Sequence, residues 1–250
     1  MLFIYLYLFI VGITFGSFFN VVGLRVPKKM SIVTPRSACS QCETTLSWYE
    51  LIPIFSFVFQ KGKCRHCGAK LSVIYPIVEA LTGLLFIFSL YKIGWEAELL
   101  VSLTLVSLLL IISVSDLSYM LIPNSILLFF FLLLSFERLF IPLSPWYDSL
   151  LGAFLGFILL YVIAVLSKGG MGGGDIKLMT VLGVALGMKG VLLTFFLATI
   201  IGTIFSIAGM LVKKLHRKSA IPFGPFISIG GLIAYFFQDE LLHWYLQWLQ

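Results

Sequence analysis

Two aspartates and four cysteines stand where their side chains can do chemistry. Asp116 closes an apolar run in "SVSDLSYMLIPN", with Ile122 and Pro123 six and seven residues on, and Asp175 ends the glycine run "GGMGGGDIKL". Carboxylates at membrane depth are costly and usually functional. Two that meet share one proton: one acts as general base for a water, the other as acid toward the scissile carbonyl and leaving amine. This chemistry needs neither a metal nor a covalent intermediate. The glycines let backbone approach an extended peptide closely. The competing reading is that each aspartate only caps a helix end. The cysteines form two pairs, Cys39 with Cys42 and Cys64 with Cys67, each C-x-x-C. Two such pairs suit one tetrahedral Zn²⁺, and four thiolates make a closed, structural site. A redox pair or free thiols are the alternatives, and His66 is an alternate ligand.

The elements that must position these groups are membrane helices. The 250 residues are 60% hydrophobic and 11% charged, against about a quarter charged in soluble domains, and mean hydropathy is +1.07. Apolar runs recur at lengths able to cross a bilayer. They predict an all-α polytopic membrane protein of about eight transmembrane helices with a small cytoplasmic zinc-binding insertion built on the four cysteines. The expected parts are a first transmembrane helix at 1–23, a cytoplasmic zinc-binding loop at 24–72, a transmembrane peptidase core at 73–238 and an interfacial tail at 239–250. The first run lacks a basic n-region and a convincing cleavage site, so it reads as a retained helix. The remaining spans are expected near 73–91, 99–115, 124–139, 150–166, 176–188, 191–212 and 223–237.

From an outside N-terminus, the loops at 24–72, around 167–177 and at 213–222 fall inside, with eight, two and four basic residues, 14 of the 17 in the chain. Positive charge belongs on the inner side, so the net charge of +6 reflects topology and lipid contact, with no nucleic-acid partner implied. Both aspartates then map to the inner side. The span opened by Asp175 holds about 13 apolar residues, roughly 20 Å of helix. Either Lys189 snorkels, or the glycine loop dips into the membrane. No HExxH occurs, the three histidines lie outside the apolar spans, and the glycines match no phosphate-loop spacing. Zinc-protease, Ser-His and nucleotide chemistry are therefore disfavoured. An ion- or proton-coupled transporter using Asp116 and Asp175 is the rival from another class, and a zinc-loop membrane scaffold is a third reading.

The ordered motifs "FGSFFNVVGLRVP", "PRSACSQC", "WYELIPIFSF", "KGKCRHCG", "YPIVEALTG", "SDLSYMLIP", "GGGDIKL" and "IPFGPF" resemble those of bacterial prepilin leader peptidases that are also N-methyltransferases. The resemblance runs from Phe15 to Phe226. It implies a multi-pass cell-membrane enzyme whose active site faces the cytoplasm. It also implies substrates that are type IV prepilins or pseudopilins, with a basic leader and an apolar N-terminal helix, and it is strongest to members of the competence type. The leader is cut, typically after a glycine, and the new N-terminus is methylated from S-adenosylmethionine. The family's catalytic aspartates fall on Asp116 and on Asp175, which closes G-x-G-D through Gly172 and Gly174. Its cysteines fall on Cys39, Cys42, Cys64 and Cys67. Ser40 departs from the proline many members carry. Presenilin-like proteases share G-x-G-D but pair it with YD and PAL motifs, whereas here Asp116 follows Ser115 and the C-terminal motif is "IPFGPF".

Glu79, early in the second span, either positions the substrate amine or methyl-transfer site or is a carboxylate held by nearby polar groups. Glu50 reads as a solvated loop acid or a functional one. Lys177, two residues from Asp175, reads as a lipid or structural partner or as a charge near the dyad. No βαβ unit with a glycine fingerprint is legible for S-adenosylmethionine.

Overall fold

The computed structural model describes residues 2–168, 170–212 and 221–248. The basic residues expected on the inner side at 213–220 and the tail's last two positions lie outside the described residues. Eight α-helices are described: α1 (Leu2–Arg25), α2 (Phe55–Phe59), α3 (Ile74–Ile93), α4 (Glu98–Tyr119), α5 (Asn124–Phe140), α6 (Asp148–Leu166), α7 (Gly173–Leu211) and α8 (Gly224–Trp248). No strand occurs among the described residues. The chain divides into two compact units, Met1–Leu99 and Leu100–Gln250.

In the first unit α1 and α3 pack as an antiparallel pair. A side chain on Gly12 would strike the backbone of Gly83, and one on Gly16 the Cα of Glu79 and the hydroxyl of Thr82. Small residues of this kind let membrane helices approach closely, where dispersion and polar contacts hold them. Asn20 of α1 donates to the Tyr75 carbonyl at 3.2 Å. The loop joining α1 to α3 carries α2 and the cysteines.

In the second unit α4 is the most buried helix, with Leu105, Leu108, Leu109 and Ile112 fully enclosed. It runs through Asp116 to Tyr119, so that aspartate sits in the last turn rather than at the end expected near 115. Helix α7 is one helical stretch of 39 residues broken at Gly187 (φ 72°, ψ −174°), a conformation open only to glycine. Close approaches show the chain doubling back there. Gly152 of α6 abuts the carbonyl of Gly183 and the backbone of Gly187, while one turn on Gly156 abuts both Met179 and Val191. The break is capped on both sides. Arg138 of α5 donates Nε and Nη2 to the Ala185 carbonyl at 3.1 and 2.5 Å, satisfying an acceptor orphaned at a helix end. Asp148 Oδ1 accepts from the Met188 N–H at 3.3 Å, favourable at the start of the second arm. Helix α8 lies along that arm, with Gly230 against the Thr194 carbonyl, and Ser228 Oγ donates to the Leu109 carbonyl of α4 at 3.1 Å.

The protein is thus an all-helical, polytopic membrane protein. Among the described residues, five helices are long and apolar enough to cross a bilayer, which leaves the expected count of eight spans unconfirmed. The difference has physical causes: α7 counts once although its arms double back, α5 has only 17 residues, and α8 carries Gln238, Asp239 and Glu240 past an irregular Phe237.

Candidate active site

Asp116 is buried at 5% exposure, and its Oδ2 accepts the backbone N–H of Gly224, first residue of α8, at 2.8 Å. After α4 the chain turns sharply: Met120 adopts φ 51°, its N–H returns to the Asp116 carbonyl at 2.8 Å, and Ser115 Oγ donates to the Leu121 carbonyl at 2.5 Å. Ile122 and Pro123 then lead into α5. Asp175 is the third residue of α7, in its first turn, and its N–H donates to the carbonyl of Gly172, the N-cap, at 3.1 Å. Asp175 lies near enough to Asp116 for the two charges to interact.

Glycines line this pair because side chains do not fit. A Cβ on Gly224 would lie 2.8 Å from Asp116 Oδ2, one on Gly172 3.0 Å from Asp175 Oδ2, and one on Gly174 2.8 Å from the Ile122 side chain. Gly173 has nothing within 4 Å. Lys177 turns to α5, where Nζ donates to Asn124 Oδ1 at 2.8 Å, which fits the structural of its readings. Gly224 is the contact that sequence reasoning missed. The only signal was its place between Phe223 and Pro225, where proline starts a helix and the preceding N–H is left unbonded within it.

The four cysteine sulfurs lie within 4.8 Å of one another, with Cys39–Cys67 at 3.8 Å and Cys42–Cys64 at 4.0 Å. A Zn–S bond of about 2.3 Å in a tetrahedron requires S···S edges of about 3.8 Å. The donor set therefore fits Zn²⁺ held by all four, with His66 not needed. The two knuckles repeat bond for bond. The N–H groups of Cys39 and Cys64 donate to the carbonyls of Thr44 and Ala69, those of Glu43 and Gly68 return to Cys39 and Cys64, and bridges Ala38–Thr45 and Lys63–Lys70 close each loop. At the fourth position after each first cysteine the backbone is left-handed, φ 55° at Glu43 and 73° at Gly68.

Crowding spreads the thiols' acidities. The Thr44 hydroxyl and N–H lower Cys42 to about 6. The Ala69 N–H lowers Cys67, but burial and the neighbouring thiols outweigh it and push that group up to about 12. Cys39, Cys42, Cys64 and Cys67 would all be thiolates when holding a metal ion, which would relieve the conflict.

Glu79 lies in the first unit. It is buried at 7% exposure and accepts the Ile54 N–H at 2.7 Å, which agrees with the reading of a carboxylate held by neighbours. Glu50 is not solvated: at 6% exposure it forms a capping box with Ser47, accepting that N–H at 2.9 Å, and its other oxygen lies 3.7 Å from His66 Nε2.

Residues 10–93 match the bacterial peptidase A24 N-terminal domain, and residues 103–207 match the type IV leader peptidase family. A prepilin leader peptidase/N-methyltransferase of Bacillus subtilis is 44% identical over 240 residues, 96% of this chain and 97% of that protein. Proteins of the same name from Aeromonas salmonicida (33% over 275 residues, 95% and 92%) and Xanthomonas campestris (31% over 267 residues, 94% and 92%) also match. The chain belongs to the type IV leader peptidase family. Within the family's two matched segments, the first holds the cysteines and Glu79, the second Asp116 and Asp175, and Gly224 lies beyond both. No solved structure matches the chain at a significant level.

Proposed function

We propose that the chain is a membrane aspartic endopeptidase that removes the leader from prepilin-like precursors and methylates the new N-terminal residue, with Asp116 and Asp175 as its catalytic pair. The observation that carries this reading is the approach of buried Asp116 and half-buried Asp175, from separate helices, to within interaction range at one end of the second unit, with Asp116 held by the Gly224 N–H. One carboxylate in its charged form takes a proton from a water as the water attacks the carbonyl at the leader junction. The other, carrying the shared proton, hydrogen-bonds the carbonyl oxygen and then protonates the leaving amine. Gly172 and Gly174 leave room for an extended strand of substrate beside the pair, and the substrate's apolar helix lies among the enzyme's own. Lys177 supports the start of α7 through Asn124, and Glu79 supports the loop.

The relatives' names pair leader cleavage with N-methylation. S-adenosylmethionine is the methyl donor implied by the resemblance; no βαβ unit occurs among the described residues, so a site of that soluble kind is not its place here. The cysteine site, filled by Zn²⁺, would hold the loop together as a closed four-thiolate centre. The partition into a first helix (1–23), zinc loop (24–72), peptidase core (73–238) and tail (239–250) belongs to this proposal, as does an active site facing the cytoplasm, which the basic loops support. Nothing in the site favours the transporter.

The purified protein, given a prepilin-like peptide with and without S-adenosylmethionine, should yield a product lacking its leader in both cases and one methyl group heavier only with the donor. Unprocessed peptide, or ion flux without proteolysis, would overturn the reading.

A further inference from the structure

We propose that the loop segment 48–59, with the basic residues that follow it, is a docking face for the anionic phospholipid surface of the bilayer that holds α1 and α3. The segment consists of a 3-10 turn (Trp48–Leu51) packed on α2. Within twelve residues it exposes Trp48 (74%), Phe55 (56%), Val58 (64%) and Phe59 (83%). Water does not favour so much aromatic surface in one place, whereas Trp and other aromatic rings beside cations are the composition of a membrane interface.

The charge fits the same surface. Lys61, Lys63, Arg65 and Lys70 are all exposed, and none makes an ion pair among the described residues. The Arg65 guanidinium lies 5.6 Å above the Tyr49 ring, joining the basic and aromatic parts. Of the loop's two acids, Glu50 is buried on Ser47 and only Glu43 is exposed. A basic, aromatic patch beside a membrane anchor is drawn to anionic headgroups within a Debye length.

Its height is set by Glu79. Ile54, the residue before α2, has φ 63° and ψ −54°, a strained conformation for a β-branched residue that only a strong external hold maintains. That hold is the Glu79 carboxylate, 2.7 Å from the Ile54 N–H. Glu79 is five residues into α3, about 7.5 Å along the helix from its start. The base of α2 is thereby pinned below the level at which the chain enters the helix pair, which lays the exposed aromatics beside the lipid surface. Both roots of the loop are at that end, as the Asn20–Tyr75 bond of the antiparallel pair requires.

The test uses the full, zinc-loaded protein in vesicles with or without phosphatidylglycerol in phosphatidylcholine, carrying acyl chains brominated near the headgroup. Subtracting the Trp48→Phe spectrum isolates Trp48 from the chain's five tryptophans. With phosphatidylglycerol, Trp48 emission should shift to the blue and fall by about twofold or more, as expected of an interfacial ring. Removing the anionic lipid, or substituting Lys61→Gln, Lys63→Gln and Lys70→Gln together, should halve that quenching while zinc stays at about one ion per chain. A water-like, unquenched Trp48 would overturn the proposal. So would a blue-shifted Trp48 that brominated lipid does not reach, which means protein covers it, or quenching equal in both lipids. Should the triple variant lose zinc, the two-lipid comparison on the native protein decides alone. None of these readouts depends on leader cleavage, so the catalytic reading can fail without touching this one.

Discussion

Replacing Gly224 by alanine adds one methyl group beside Asp116 and leaves both acids in place. The new Cβ would lie 2.8 Å from Oδ2 and 3.2 Å from Cγ, where ordinary contact begins at 3.4 Å. The carboxylate must retreat by about 0.6 Å, or α8 must shift by as much, and the 2.8 Å hydrogen bond from the Gly224 N–H lengthens with it. Since a misplacement of about 1 Å costs on the order of 100-fold, about 10- to 30-fold is expected here, or about 1.4–2 kcal/mol of barrier. Gly173→Ala is the control within the glycine run. Its Cβ meets nothing within 4 Å, and alanine is the better helix former by up to about 1 kcal/mol, so the rate should stay within about twofold of native. The assay is kcat/KM for leader removal from a prepilin-like substrate, with zinc content confirming the fold. Gly173→Ala as damaging as Gly224→Ala, or Gly224→Ala at the native rate, would refute the geometry around the pair.

Gly187→Ala should cost about 2–4 kcal/mol, combining strain at φ 72° with displacement of the Asp148 cap, read as a lower Tm of the detergent-solubilised protein. Glu43→Gly should strengthen the zinc loop by roughly 0.5–1 kcal/mol, because it relieves the left-handed strain that Gly68 avoids in the matching knuckle; the readout is slower zinc loss to a chelator. Stripping the metal, or Cys39→Ser with Cys42→Ser, should abolish the roughly one zinc ion per chain and expose the loop to protease, and unchanged protease resistance would count against a structural role.

What the sequence made legible was local chemistry with fixed spacing. The C-x-x-C pairs predict a four-sulfur site because a knuckle is built from adjacent residues, and both form as expected. Asp116 and Asp175 were visible as acids in apolar runs, and topology alone put them at one side. The rest depends on contacts distant in sequence. Nothing local marks Gly224 as the donor to a carboxylate 108 residues earlier. Gly187 looked like any glycine in an apolar run, although Ile176–Met188 and Val191–Val212 were legible as separate spans. Glu50 reads in the sequence as a solvated or a functional loop acid, whereas its burial brings it beside His66, 16 residues on, and Glu79 has its main partner 25 residues away.

The central claim is that one pair of acids cuts the substrate, and its most direct test is leader cleavage by Asp116→Asn and Asp175→Asn separately. Asparagine keeps the size, and at 116 an acceptor for the Gly224 N–H, but it can neither take nor give the proton in flight. Each variant should insert, hold zinc and lose about 1,000-fold or more of its cleavage rate. Native-like cleavage by either one would contradict the account.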